Sequence, residues 1–178
     1  RVNKVLQQLE LDNIKDLKVG NFLNKFISGG QRKRLNIALE LIREPSILLV
    51  DEPTSGLSSA DSEKVVLLLK EQANNGKIII INIHQPSSFI FRMFDSLWIL
   101  DKGGRIIYKG RPLDAITYFK KNAFYPQPDE RECPECGALN PEIIFKIIEA
   151  KKLDGVGGYS AERKNSAEDW HNIFKQNF

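Results

Sequence analysis

Four short stretches of the sequence combine residue types able to handle a phosphoryl group. In Ile27-Ser28-Gly29-Gly30-Gln31 a pair of glycines stands at the start of a helix. Backbone N–H groups there have no intrahelical acceptor and point along the positive end of the helix dipole. Such an end binds phosphate oxygens, and the Ser28 hydroxyl adds a donor. Ser28 with Gln31 three residues on also has the chemistry of a capping box, so a capped helix without any ligand is the plain alternative. In Ile47-Leu48-Leu49-Val50-Asp51-Glu52 an unbroken apolar run ends in a pair of acids. The run reads as a strand buried on both faces of a parallel sheet, and the carboxyl edge of such a sheet is where ligands bind. Asp51 can hold Mg²⁺ there, directly or through water. Glu52 can polarise a water for attack on a terminal phosphoryl group. The alternative is a structural carboxylate pair capping a helix, an arrangement that is costly at a buried strand end without a cation or donor. Pro53-Thr54-Ser55-Gly56-Leu57-Ser58 follows directly and alone is only a tight turn. His84 closes the next apolar run, residues 78–83. An imidazole there can contact a terminal phosphate and hold the attacking water, although a lone histidine in such a place is more often a hydrogen-bonded structural residue.

These groups need elements to hold them. Val2, Val5, Leu6 and Leu9 recur at helical spacing, so an amphipathic helix opens the chain. A polar linker over residues 12–25 follows, with Gly20-Asn21 as a turn. Ser28 then caps a helix with Leu35, Ala38, Leu39 and Ile42 as its buried stripe, and Pro45 stops it. Ser58 or Ser59 caps a helix to about Asn74, with Val65, Leu68 and Leu69 inward and Asn75-Gly76 at its end. Beyond His84 the pattern predicts a short helix begun by Pro86 and running to Met93. A hairpin over 96–100 and 105–109 around Gly103-Gly104 comes next, then a helix over 112–121. Residues 123–140 read as a loop, 141–151 as a helix capped by Asn140-Pro141, and Trp170, Ile173 and Phe174 mark a short final helix. Strand–helix–strand alternation argues α/β with a parallel sheet.

Composition restricts the partners. A net charge of +3 is too small an excess to argue for nucleic acid, so none is expected. The longest apolar runs fall far short of the ~20 residues that span a bilayer. Two cysteines do not make a secreted disulfide scaffold, and a reducing compartment fits better. The chain opens on Arg1 and its single methionine is Met93, so it is expected to be a piece of a longer protein.

Taken in order, the four stretches resemble the ATP-binding cassette (ABC) ATPases. ISGGQ resembles that family's signature, ILLVDEP its Walker B strand with the catalytic glutamate, TSGLS its D-loop, and His84 its switch histidine. The resemblance implies the C-terminal part of a P-loop NTPase fold, with a parallel sheet core, a helical signature segment and a C-terminal hairpin and helix extension. It implies ATP and Mg²⁺ as ligands and a head-to-tail dimer of ATPase domains. In that dimer Ser28, Gly29, Gly30 and Gln31 touch ATP held by the partner, while Asp51, Glu52 and His84 act on ATP held by their own subunit. Residues 29–57 and IHQPSSFIFRMFDSLWIL resemble the G subfamily of ABC transporters, as does the Asn140-Pro141 helix with Phe145 and Ile148. Members of that group carry pigments, sterols, lipids or drugs. The implied division is a partial ATPase domain over 1–122, with its signature part in 1–45 and its Walker B to histidine part in 46–122. Residues 123–178 then lead toward a transmembrane domain of the same transporter, at the cytoplasmic face of the membrane, the inner membrane in a bacterium. A soluble ABC ATPase of the DNA-repair or translation-factor type is the alternative, marked by coiled-coil insertions or tandem cassettes, neither of which the sequence contains.

The sequence departs from the family pattern at three points. It contains no G-x-x-x-x-G-K-[ST]; its only Gly-Lys pair is Gly76-Lys77. That loop supplies most of the phosphate affinity in this class, so the chain by itself is expected to bind MgATP poorly and not to hydrolyse it. Ser58 stands where the family usually has an aspartate that contacts the partner subunit, which predicts weaker coupling across the dimer. Cys133-Pro134-Glu135-Cys136-Gly137 resembles half a zinc knuckle, but a structural zinc wants four ligands, and a plain loop is the favoured reading.

Overall fold

The path of the chain is taken from a computed structural model that describes residues 1–21, 24, 26–132, 137, 139–153 and 158–177. Packing divides it into two compact units, Arg1–His84 and Gln85–Phe178. The boundary falls upstream of the 122/123 division drawn from motifs. Among the described residues no helix is long and apolar enough to cross a membrane.

In the first unit, α1 (Val2–Gln8) and a short 3₁₀ turn (Asp12–Ile14) lead to α2 (Gly29–Leu41), β1 (Ile47–Asp51), α3 (Ser59–Asn74) and β2 (Ile78–Asn82). β1 and β2 pair in parallel, from Ile47 opposite Ile78 to Asp51 opposite Asn82. α3 is the crossover that returns the chain to the same sheet edge. Ser58 caps it by accepting the Asp61 amide, and Gly76, at φ +91°, turns the chain out of it. Val5, Leu9, Leu11, Ile37, Ala38, Leu41, Leu48, Val65, Leu68 and Leu69 form one core.

The buried stripe of α2 runs through Arg34, Ile37, Ala38 and Leu41, not through Leu39. Leu39 is 57% exposed and, with Leu35, Ile42, Val2 and Leu6, lines an apolar groove. The helix is rotated because Gly30 and Arg34 turn toward the interior along with Ile37. Among the described residues the β1–β2 sheet is also covered on one face only. Leu48, Val50, Ile79 and Ile81 pack on the helices, whereas Leu49 is 72% exposed on the other face, beside Ile47, Ile78 and Ile80. Period-two alternation sends successive side chains to opposite faces, and the helices described in this unit pack on one of them.

The second unit holds α4 (Ser88–Met93), the hairpin β3 (Leu97–Asp101) and β4 (Arg105–Gly110), α5 (Pro112–Asn122) and α6 (Glu142–Ile148). It ends with the antiparallel pair β5 (Lys151–Leu153) and β6 (Tyr159–Arg163) and with α7 (Ala167–Asn177). Ser87, not Pro86, starts α4: its hydroxyl accepts the Ile90 amide at 3.3 Å, leaving the proline outside the helix. α6 stops at Ile148 rather than running to 151. There the Ala150 carbonyl takes the Lys164 amide and residues 151–153 become a strand. The final helix is longer than expected, and Ser166 opens it by accepting the Asp169 amide while Asp169 accepts from Ser166. Those hydrogen bonds from Ser166 hold the Asp169 carboxyl below its usual range.

Trp170, Phe119, Tyr108, Ile107, Ile116 and Ile144 are at the centre of this unit's core. Tyr108 donates its hydroxyl to the Arg111 carbonyl at 2.7 Å. Burial, with Asp114 acting in the same direction, pushes its pKa up to about 12. Arg163, 14% exposed, bonds both oxygens of Asp101, which is 4% exposed, and also Glu149, so β6 is tied to the hairpin and to the end of α6.

Candidate functional site

The start of α2 is built as its sequence foretells. The Gln31 amide donates to Ser28 Oγ at 3.1 Å and the Ser28 amide donates to Gln31 Oε1 at 2.7 Å, which closes the capping box. The box uses the amides of residues 28 and 31 and leaves those of Gly29 and Gly30 outside it. Because Ser28 Oγ is an acceptor in the cap, its own proton is left to donate outward, as is the Gln31 side-chain NH₂. Ser28 and Gly29 are exposed and Gly30 is buried.

Gly30 is buried because α3 closes on it. A Cβ at Gly30 would lie 2.7 Å from Asp61 Oδ1 and 2.8 Å from its Cγ. A Cβ at Gly29 would only meet Leu57 Cδ2 at 3.4 Å. Ser58 Oγ fixes Asp61 by donating to Oδ2 at 3.1 Å while accepting the Asp61 amide at 3.2 Å. The hydroxyl of Ser58 is therefore engaged within its own chain. Gly30→Ala is expected to destabilise the fold: crowding costs about 1–3 kcal/mol, and the gain in helix propensity offsets about 1 kcal/mol of that. In an Asp61→Ala background the same substitution is expected to cost less, because Oδ1 and Cγ are gone and the Asp61 Cβ at 3.2 Å is the contact that remains. Denaturant unfolding of the four proteins gives the coupling, and additive effects would show that Asp61 is not what fills the space.

Close to the start of α2, the parallel register brings Asp51 and Glu52 to the carboxyl edge of β1. The same register puts His84 just past the matching edge of β2. All three are exposed. Asn82 Nδ2 donates to Asp51 Oδ1 at 2.8 Å. Glu52 has a left-handed backbone, φ +42°, and three groups hold it. Its amide donates to the Asn82 carbonyl at 2.9 Å. Its carbonyl accepts the Ser55 amide at 3.3 Å, closing the turn, and Lys33 Nζ from α2 at 2.9 Å. The sequence reading missed Lys33, Asp61 and Asn82. Only the i, i+3 pairing of Ser58 with Asp61 carried a signal, as a helix cap.

The fit to the implied ligands follows from the donor set. A hard dication that keeps phosphate and water oxygens needs one or two carboxylates, and Asp51 supplies one on an exposed edge. An exposed helix start with amides outside its cap fits a phosphate. Among the described residues no cluster of three or more His, Cys, Asp or Glu could hold a metal unaided. Cys133 and Cys136 lie outside the described residues.

Comparison with known proteins agrees with this arrangement. Residues 1–55 match the family model described as ABC transporter, and residues 84–135 match the one described as ABC-2 type transporter. The broad substrate specificity ATP-binding cassette transporter ABCG2 of Bos taurus is 48% identical over 128 residues, which is 72% of this chain and 19% of that protein. ABC transporter G family member 25 of Oryza sativa subsp. japonica is 36% identical over 162 residues, 91% of this chain and 15% of that protein. Among solved structures, MJ1267, an ATP-binding cassette of an ABC transporter in its ADP conformation, superposes with a TM-score of 0.55 at 27% identity. That match covers 62% of this chain and 41% of MJ1267. CbiO1 of Clostridium perfringens, part of the ABC transporter complex cbiONQ, gives 0.56 at 26% identity over 69% of this chain and 48% of its own.

The chain is part of the ATP-binding domain of an ABC transporter, with the α/β fold of the P-loop NTPases. Within that family it belongs to the G subfamily. It spans less than a fifth of the length of the curated relatives it matches.

Proposed function

We propose that the intact parent of this chain hydrolyses MgATP and couples that cycle to movement of a substrate across a membrane. The observation that carries the reading is the shared edge of β1 and β2, where Asp51, Glu52 and His84 stand exposed at neighbouring strand ends. Bound ATP with Mg²⁺ supplies the terminal phosphoryl group that is cleaved. Asp51 binds the cation. Glu52 accepts a proton from the attacking water, and His84 orients that water. Ser28, Gly29, Gly30 and Gln31 donate to the phosphates of ATP held by a second ATPase domain, in a head-to-tail dimer. On this reading residues 1–122 carry the motor and 123–178 lead toward the membrane domain of the same chain, on the cytoplasmic side. The match of residues 84–135 to a transporter family model favours this over a soluble ABC ATPase.

The test compares purified parent protein in lipid nanodiscs with the 178-residue chain alone. The parent is expected to turn over ATP at about 1 s⁻¹ or faster. The chain alone, without a G-x-x-x-x-G-K-[ST] loop, is expected to show no turnover above background. A parent that does not hydrolyse ATP would remove the proposal, and robust turnover by the 178-residue chain would remove its division of labour.

A further inference from the structure

We infer that Lys33 is a positioning residue for Glu52, and that it ties the helix start serving one nucleotide to the carboxylate serving the other. The inference deepens the proposed function and rests on it. Glu52 is held at φ +42°. A residue with a Cβ pays roughly 1–2 kcal/mol to sit in that left-handed region, so the surroundings must fix it there. From the sheet side, the Asn82 carbonyl takes the Glu52 amide at 2.9 Å. From the helix side, Lys33 Nζ donates to the Glu52 carbonyl at 2.9 Å. A hydrogen bond from an ammonium is about twice as strong as a neutral one. It outweighs the 3.3 Å bond from the Ser55 amide to the same oxygen.

Lys33 sits within about one turn of Gly29 and Gly30 on the same helix, which runs unbroken for 13 residues. A shift of the helix start, where a phosphate would bind, is carried along the helix to the Lys33 backbone and reaches the peptide of Glu52 through the hydrogen bond from Nζ. The Asn82 contact then passes it to the end of β2, two residues before His84. Lys33 touches the backbone of Glu52 and none of the reacting groups, so its effect belongs in the geometry of attack. A displacement of the order of 1 Å at a reacting group can cost up to about 10²-fold in rate.

The experiment uses the intact parent transporter with Lys33→Met, Lys33→Arg and, in parallel, Glu52→Gln. Lys33→Met keeps the stem and removes the donor. It is expected to lower kcat about tenfold, with KM for ATP within about twofold of wild type and the unfolding temperature unchanged. Lys33→Arg, which keeps a cationic donor, is expected to recover at least half of kcat. A wild-type kcat in Lys33→Met overturns the inference. So does a variant in which kcat, KM and unfolding temperature fall together and Lys33→Arg does no better. If Glu52→Gln abolishes hydrolysis while Lys33→Met is normal, only the role of Lys33 fails. If Glu52→Gln remains active, the reading of Glu52 fails and this inference with it.

Discussion

Glu52→Gln in the intact parent is expected to cut ATP hydrolysis about 10²–10⁴-fold, the range ascribed to a positioned general base, while ATP binding persists. The substitution keeps the size and one acceptor oxygen of the side chain and removes the capacity to take a proton from water. The structure gives reason to expect a clean result. Among the described residues the Glu52 carboxylate makes no ion pair or hydrogen bond, since the bonds of this residue all run through its backbone. The left-handed backbone is no obstacle either, because Gln85 and Gln127 adopt φ +47° and +51° in this same chain. Fold stability should therefore be unchanged, and lost turnover reports on chemistry. If hydrolysis is what reopens the dimer, the variant should also accumulate as an ATP-bound dimer, visible as a shift in size on adding MgATP. Near-normal turnover would mean that another group takes the proton, and the assignment of the β1 edge as the hydrolytic centre would fall.

The local structure of the candidate site was more legible than the surfaces around it, and the reason is physical. Ser28, Gly29, Gly30 and Gln31 write their own local structure: a cap and its reciprocal partner three residues on depend only on neighbouring backbone, and the structure repeats them atom for atom. The turn after Asp51 and the caps at Ser58 and Gly76 are of the same kind. What depends on packing was less clear. An apolar run such as Ile47-Leu48-Leu49-Val50 says that a strand wants both faces covered, but Leu49 and Ile80 lie on a face that no described helix covers. The α2 stripe was misplaced because Arg34 is buried against the expectation for a charged residue; among the described residues its Nε and Nη1 have no partner. Lys33 and Asp61 were invisible because their importance lies in contacts across 19 and 31 residues of sequence, to Glu52 and to Gly30. The β5–β6 pair was hidden in the same way: Lys151-Lys152-Leu153 continues a helical pattern, and only pairing with residues 159–163 makes it a strand.

Trp170→Ala is expected to be the most destabilising single change in the second unit, by about 3–5 kcal/mol, the usual cost of emptying a core aromatic site. The ring is fully buried and meets Phe119 edge to face with centroids 5.1 Å apart. Phe119, itself fully buried on α5, packs against Tyr108 of β4, so Trp170 joins the last helix to both the hairpin and α5. His171 Nδ1 lies 2.7 Å from the Ile106 carbonyl, which docks α7 on β4 at the next residue. Trp98 is the internal control. It is 57% exposed, with Lys109 Nζ 4.8 Å from its ring centroid, and an exposed cation–π contact contributes only about 0.5–1 kcal/mol. Trp98→Ala should thus cost far less than Trp170→Ala, although the same side chain is removed. A third variant separates packing from polarity. Trp170 Nε1 is buried with no acceptor among the described residues, and an orphaned donor costs about 1–3 kcal/mol. Trp170→Phe removes that penalty while giving up part of the ring, so its loss should be well under half that of Trp170→Ala. Denaturant unfolding of the three variants orders them as Trp170→Ala, then Trp170→Phe, then Trp98→Ala close to wild type. If Trp98→Ala proved as damaging as Trp170→Ala, the core of this unit would have been drawn around the wrong face of the hairpin.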